Sequence, residues 1–439
     1  MASAAVMSLR ELKSAVGGTA YGRAMEEEVA LRKEGKGSPH RASKLRLFDV
    51  LEPPPRVTLY RDAAAWCPYC QKTWMLLEEK KIPYRVELVN MRSYGDKPRE
   101  FLGKVPGGFL PAIDLDGSTY TESLDIMALL DRTFPETPMI PEDDVAEANR
   151  LLRLERELFG AWCSYVFRGD DGKLFDLALQ TVEEAIKGPF FLGATLSIVD
   201  LQYVSHVERM AASVAYWKAR DIRAEKPGID AWLRAIEALD SYDATRSDYY
   251  THVMNIPPQY GNPQKIRSSW QSRIVESTFP LKPDPLQPNW GHKEPTAALE
   301  ALFHLVNNFD AVSKFASRPE GSGVGKWSFM RPDRARLADP YAAPAQDRAD
   351  LDAVLLVAAT ILWQAADHDF GAYEPSPDLL LPLRGSFGGG GGGSPKNRRR
   401  DAVVRCCEYL RDRVGVPRDM SYPAARTLRA SLSFIISNL

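Results

Sequence analysis

The chain has 439 residues, a length for two or three domains, and its 44% hydrophobic and 26% charged residues describe a soluble globular protein. Lysine and arginine total 56 against 58 aspartates and glutamates, so a formal charge of -2 gives no global field for nucleic acid or an anionic membrane. No apolar run reaches the ~18 residues of a membrane span, and five cysteines at 67, 70, 163, 406 and 407 are too scattered for a disulfide framework, which fits a reducing compartment.

From the N-terminus, Met1 to Val6 is followed at once by Arg10, Glu11 and Lys13, which excludes a signal-peptide core. Ala2 to Ala5 resembles the opening of a transit peptide, whereas Glu26 to Glu28 breaks the acid-poor pattern, so targeting stays open. Residues 7–36 have rough helical spacing, and Pro53-Pro54-Pro55 forms a stiff spacer, so a compact region is expected to start at Arg56. There the signals alternate: strand (Val57 to Tyr60), helix (Pro68 to Lys80), strand (Tyr84 to Asn90), a hairpin at Asp116-Gly117, and helix (Ser123 to Arg132). This βαβ then ββα order is the skeleton of a thioredoxin-like sheet.

Beyond Pro141 the pattern is helical to about Tyr250. Eight prolines between 257 and 295 then exclude continuous helix and predict a strap. Further helices are expected at 296–316, 349–366, 401–414 and 422–437. The second of these carries Leu351, Val354, Leu355, Ala358, Ile361, Leu362 and Ala365 on one buried stripe. Gly388 to Gly393 predict a flexible loop, with Lys396 and Arg398 to Arg400 as its solubilising basic patch. The expected domains are therefore a leader with a helix and spacer (1–55), an α/β thioredoxin-like domain (56–137), an all-α domain (138–255), the strap (256–295) and a mainly α-helical extension (296–439).

Trp66-Cys67-Pro68-Tyr69-Cys70 carries the strongest chemical signal, because it follows a strand and opens a helix. Unpaired N–H groups and the positive end of the dipole favour a thiolate there, making Cys67 the candidate nucleophile. Pro68 suits the first turn, and Cys70 lies one turn on where it can resolve a mixed disulfide. Plain packing or half a zinc site are the alternatives; a zinc site would need two more ligands, and no second CxxC or close histidine pair exists. In Phe109-Leu110-Pro111-Ala112-Ile113, a proline opening a strand is either an ordinary trans proline or a cis proline that turns backbone groups outward. Ser123, after Glu122, is expected to cap the following helix, whose free N–H groups suit a carboxylate. Ser197 and Asp200 form a capping box, with Leu196 and Leu201 as its staple. Adjacent Cys406 and Cys407 point about 100° apart on a helix, so one buried and one half-exposed thiol is expected.

In these motifs and their order, residues 57 to about 250 resemble cytosolic-type glutathione transferases. The thiol motif is like that of cysteine-type classes and of dithiol glutaredoxin. Together with Lys104 to Pro111 and the long extension, it is similar to the iota class of photosynthetic organisms. The resemblance implies that Cys67 reacts with the glutathione sulfur, that the Leu110 backbone, with Pro111 as the cis-proline element of the glutathione site, pairs with its cysteinyl amide, and that Glu122 and Ser123 hold its γ-glutamyl end. It also implies Tyr69 and Lys97 as glutathione contacts, Lys97 being equally readable as a solvated loop lysine; Tyr60 is expected to pack beside the site. Glutathione is the implied cosubstrate, with no metal, and any other cofactor is left unassigned. A second substrate, small molecule or protein, would lie near Trp162, Tyr165, Tyr203, His206 or Tyr216, although aromatic residues at helical spacing are more often core. The class implies a homodimer and a chloroplast location, and otherwise a cytoplasmic one. The functional expectation is a glutathione-dependent thioltransferase or deglutathionylase, with a disulfide or dehydroascorbate reductase in the same class. The alternative is a non-catalytic scaffold whose extension docks a partner or cofactor.

Overall fold

The structure is a computed structural model and describes residues 5–48, 54–91, 94–140, 142–261, 263–282, 284, 286–287, 296–322, 342–368, 372–387 and 394–439. Gly388 to Gly393, Pro53 and Pro283, Pro285, Pro288 and Pro295 of the expected strap lie outside the described residues. Contacts divide the chain into two units: Glu28–Ile274, and Met1–Glu27 together with Val275–Leu439.

Two helices come first, α1 (Leu9–Gly18) and α2 (Ala20–Lys33). A mixed sheet follows, made by β1 (Leu45–Arg46), β2 (Val57–Asp62), β3 (Tyr84–Val89), β4 (Ala112–Leu115) and β5 (Ser118–Tyr120) in the order β1-β3-β2-β4-β5. Only β2 and β3 run parallel, joined by α3 (Pro68–Glu79), while α4 (Arg99–Lys104) precedes β4 and α5 (Ser123–Thr133) follows β5. Asp116 and Gly117 both have positive φ, the conformation of a two-residue hairpin turn, and Leu115 pairs with Ser118 across it. The expected thioredoxin-like skeleton is thus present. It reaches further upstream than Arg56, however, because β1 pairs antiparallel with β3 and Arg46 forks Glu78 of α3 at 2.8–2.9 Å. Two-residue strands have too little periodicity to be seen in a sequence.

The helical part comprises α6 (Val145–Cys163), α7 (Lys173–Ala185), α8 (Ile198–Lys218), α9 (Ile222–Glu225), α10 (Pro227–Glu237), α11 (Asp240–Asp243), α12 (Tyr249–Asn255), α13 (Pro257–Tyr260) and α14 (Ser269–Val275). Helix α8 is buried along almost its whole length. Its expected capping box is present: Asp200 accepts from the Ser197 hydroxyl and N–H and also from Phe191 N–H and Trp232 Nε1, at 2.7–2.9 Å. The first part of the expected strap is short helix packed into this unit, with Tyr260 stacked on Phe167 at 5.0 Å.

In the other unit lie α15 (Thr296–Asn307), α16 (Phe309–Ala316), α17 (Ala349–Ala365), α18 (Leu381–Phe387), α19 (Pro395–Arg413) and α20 (Tyr422–Asn438). Helix α17 buries more than one stripe, for Val357, Ala359 and Thr360 are covered as well. The reason is packing from several sides, by α15, α19, α20 and the leader helix α1. Lys396 and Arg398 to Arg400 are not a loop but the first turns of α19, where Arg399 pairs with Asp350. Cys406 and Cys407 are both buried, against the expected half-exposure of one.

Leu12 of α1 is wholly buried in this core, which it shares with Leu302, Val354 and Ala358. We expect Leu12→Ala to destabilise that unit by about 2–5 kcal/mol in chemical denaturation, whereas a solvated leader would lose less than about 0.5 kcal/mol.

Candidate functional site

Strand β2 ends in a buried acid, Asp62, whose Oδ2 accepts the N–H of Trp66 at 2.6 Å and of Cys67 at 3.1 Å. This fixes the turn that delivers Cys67 to the N-cap position of α3, with Pro68 in the first turn. The N–H of the cysteine is thereby used, while its own side chain caps nothing. Cys67 Sγ lies 4.0 Å from the Leu110 carbonyl oxygen, and the Leu110–Pro111 peptide is cis, so that reading of the proline is the one the structure adopts. Cys70 is 1% exposed and hydrogen-bonded to Cys67; burial, then that bond, pushes its thiol well above the ordinary value. The two buried cysteines therefore differ, one at the N-cap beside a backbone carbonyl and one in the first turn with its thiol pushed up.

Lys97 is half-buried, donates to the Asn90 carbonyl at 2.7 Å, and burial lowers its ammonium while Cys70, Cys67 and Asp62 act to raise it. Its nitrogen also lies 5.8 Å from the centre of the Phe101 ring. Ser123 does not cap α5 but is its first residue; exposed Glu122 occupies the cap position with φ 63° and makes no side-chain cap bond. The reason is the turn after β5, whose positive φ at Glu122 swings the chain into the helix one residue earlier than a serine cap requires. Tyr60 packs against Phe101 and donates to Asp114 at 2.7 Å while accepting from Lys104 at 2.6 Å, beside the site as expected.

Tyr69 turns toward α6 and α8, its ring edge-on to His206 at 5.4 Å and its hydroxyl bonded to Arg156. Around it runs a buried network. Lys72 Nζ donates to Gln202 Oε1 at 2.6 Å, Gln202 Nε2 donates to Glu155 Oε2 at 2.6 Å, and Glu155 also binds His206 Nδ1 at 2.8 Å and is forked by Arg156. Burial works against the Glu155 carboxylate, but the bonds from His206 and Arg156 hold it down at about 2. A second chain links Arg209 of α8 to the Trp66 carbonyl and, at 3.2 Å, to Gln71. Glu208 holds Arg209 at 2.9 Å and accepts from Tyr242 at 2.8 Å. No group of acids, cysteines and histidines fit for a metal occurs among the described residues.

Residues 66–133 match the family model for the Glutathione S-transferase, N-terminal domain. Glutathione S-transferase L3 of Arabidopsis thaliana is 32% identical over 189 residues, which cover 42% of this chain and 79% of that protein. The chain belongs to the glutathione S-transferase family. Glutathione S-transferase DHAR2 of the same plant is 27% identical over 193 residues, 42% of this chain and 86% of its own. Among solved structures, the glutathione transferase Omega 3C of Trametes versicolor is 29% identical with a TM-score of 0.40, covering 45% of this chain and 91% of that one.

In this transferase the candidates read from sequence divide into two sets. Cys67, Cys70, Leu110 and Pro111 come together, while Lys97 is held at the Asn90 carbonyl and Glu122 and Ser123 stand at the head of α5. Of the aromatic residues expected near a second substrate, Trp162 and Tyr203 are core, bonded to Ser213 and to the Leu151 carbonyl. Tyr165 stacks on Phe175, and Tyr216 is held by Lys265. Asp62, Lys72, Glu155, Arg156, Arg209 and Tyr260 were not anticipated. Tyr260, a residue of the expected strap, is pushed up by burial and packs against Phe167 and Trp162. Cys163 itself is raised to about 11 by burial.

His206 is wholly buried, and burial pushes its imidazole down to about 4 against the pull of Glu155. Its Nε2 has no hydrogen-bond partner among the described residues, so a proton there would be unpaired. The unfolded imidazole binds its proton near 6.5 and the folded one near 4, so between these values the unfolded state holds more protons and stability falls as pH drops. This amounts to about 2 kcal/mol at about pH 5. We expect urea midpoints to show that acid loss and His206→Asn to shrink it; His252, also lowered by burial, retains the remainder.

Proposed function

We propose that the chain is a glutathione-dependent thiol–disulfide oxidoreductase, a thioltransferase acting on glutathionyl mixed disulfides through Cys67. The observation that carries this reading is Cys67 at the start of α3, its N–H held by Asp62, its sulfur beside the Leu110 carbonyl and a second thiol one turn on. A cysteine in this position tends to form a disulfide with glutathione, whereas activation for conjugation uses a hydroxyl. Glutathione would pair its cysteinyl amide with the Leu110 carbonyl beside Pro111 and rest its γ-glutamyl end at Glu122 and the first-turn N–H groups around Ser123. Lys97 would complement its charge, and Tyr69 would wall the sulfur side.

The Cys67 thiolate attacks the glutathionyl sulfur of the mixed disulfide; the new S–S bond forms as the old one breaks, and the departing thiolate takes a proton from solvent. A second glutathione thiolate then attacks the glutathionyl sulfur on Cys67, releasing oxidised glutathione and restoring the Cys67 thiolate. Cys70 is a poor competitor for this second step, because its buried thiol must first lose a proton that burial retains. The class resemblance also carries the proposals of a homodimer and a chloroplast location.

Reduction of a glutathionylated peptide should fall by about a hundredfold or more in Cys67→Ser and by less than about threefold in Cys70→Ser. Equal loss in both variants would replace the monothiol cycle by a dithiol one, and no turnover by the wild type would overturn the proposal.

A further inference from the structure

A buried arginine brackets the thiol motif from the helical side. Arg209 of α8 is 3% exposed, and its guanidinium donates to the Trp66 carbonyl on the N-terminal side of Cys67. On the C-terminal side it donates to Gln71 Oε1 at 3.2 Å. One side chain thus reaches both residues that flank Cys67-Pro68-Tyr69-Cys70, and the Trp66 ring lies 5.3 Å from its guanidinium carbon. Gln71 is also the residue whose N–H closes the first helical turn on the Cys67 carbonyl, at 3.0 Å.

A trans peptide turns as a rigid plate about the line between its α-carbons, so holding its oxygen and its N–H fixes the torsions on either side. The Trp66–Cys67 peptide is held at its oxygen by Arg209 and at its N–H by Asp62, at 3.1 Å. That sets φ of Cys67, and the bond from Gln71 N–H sets its ψ. Only rotation about the Cα–Cβ bond is left to place the sulfur beside the Leu110 carbonyl.

Stability supplies little reason for a charge at this position. Glu208 compensates the guanidinium at 2.9 Å and is itself held by Tyr242 at 2.8 Å, with His252 3.4 Å away. All of these groups are buried, and exchanging a buried ion pair for well-packed apolar side chains is often neutral or stabilising. The Nε of Arg209 has no hydrogen-bond partner among the described residues, which adds to the cost. What an apolar side chain cannot supply is a planar fork that reaches two acceptors at set positions. We infer that Arg209 is a positioning residue for Cys67, the hold of the helical part on the backbone of the reacting thiol. It acts through the cysteine and touches no substrate. A displacement of about 1 Å in a reacting group is enough to slow its reaction about a hundredfold, so loosening this hold reaches the chemistry.

The inference rests on the reading of Cys67 as the reacting thiol, so one arm of its test reads the backbone and the other reads turnover. Removing Arg209 alone strands the Glu208 carboxylate, so the full chain carrying Glu208→Gln is compared with Glu208→Gln/Arg209→Met; the glutamine can still accept from Tyr242. In hydrogen exchange followed by mass spectrometry, the peptide holding the Trp66 and Cys67 amides should exchange about tenfold faster in the double variant, while peptides from β3 and α7 keep their rates. In reduction of a glutathionylated peptide, kcat per folded molecule should fall about tenfold with KM within about twofold. Gln71→Met leaves the charged pair in place and keeps the test open if the double variant does not fold; it should lower kcat about threefold at an unchanged urea midpoint. Exchange that is unchanged or faster throughout the unit, or an unchanged kcat in either folded variant, overturns the inference. Loss of amide protection with Arg209 in a protein that reduces no mixed disulfide would instead overturn the proposed activity and leave the bracket standing.

Discussion

The Asp62 carboxylate accepts the N–H groups of Trp66 and Cys67, while Arg209 holds the Trp66 carbonyl from the opposite side. Between them the peptide preceding the cysteine is gripped by both of its polar ends. Those ends would otherwise be buried without partners, because α3 begins only at Pro68, which offers no N–H. Everything that gives Cys67 its position follows from this grip: the direction of the first helical turn, the approach of the Leu110 carbonyl and the placing of Cys70 beneath.

The grip also explains why the helical part is indispensable to the sheet part within this unit. Gln71, Lys72 and Tyr69 all reach from α3 to side chains of α6 or α8 or to the backbone at Thr245. Arg209 owes its own place to Glu208, which in turn is held by Tyr242. Asp200 anchors the start of α8, so its capping box contributes to the site through the register of the whole helix.

The parts legible in the sequence were those governed by local rules. Alternation and turn chemistry marked β2 to β5, Pro68 marked the start of α3, and Ser197 with Asp200 marked α8. Local rules failed where partners were distant. Lys72, Arg209 and Glu155 carry no local mark of their buried roles, because nothing nearby in the chain reports that each is met by a residue far along it. The cap at Ser123 failed for a related reason: serine is a good cap anywhere, but the backbone turn at Glu122 decides which residue occupies that place. Cys406 and Cys407 were misjudged because helical geometry separates their directions without saying that neighbours cover both.

Helix α1 and the C-terminal helices form one unit, while Glu28–Ile274 forms the other, so the transferase unit is an insertion in a fold whose halves are far apart in sequence. On the ribosome these two bodies mature on different schedules. The inserted unit has all its residues once Ile274 has emerged. Leu12 must wait for α15, α17 and α20, whose Leu428 and Leu432 share its core. The apolar face of α1 is therefore made before the inserted unit and covered only after it, an interval in which the nascent chain carries an unsatisfied hydrophobic surface while its inserted unit is already free to fold.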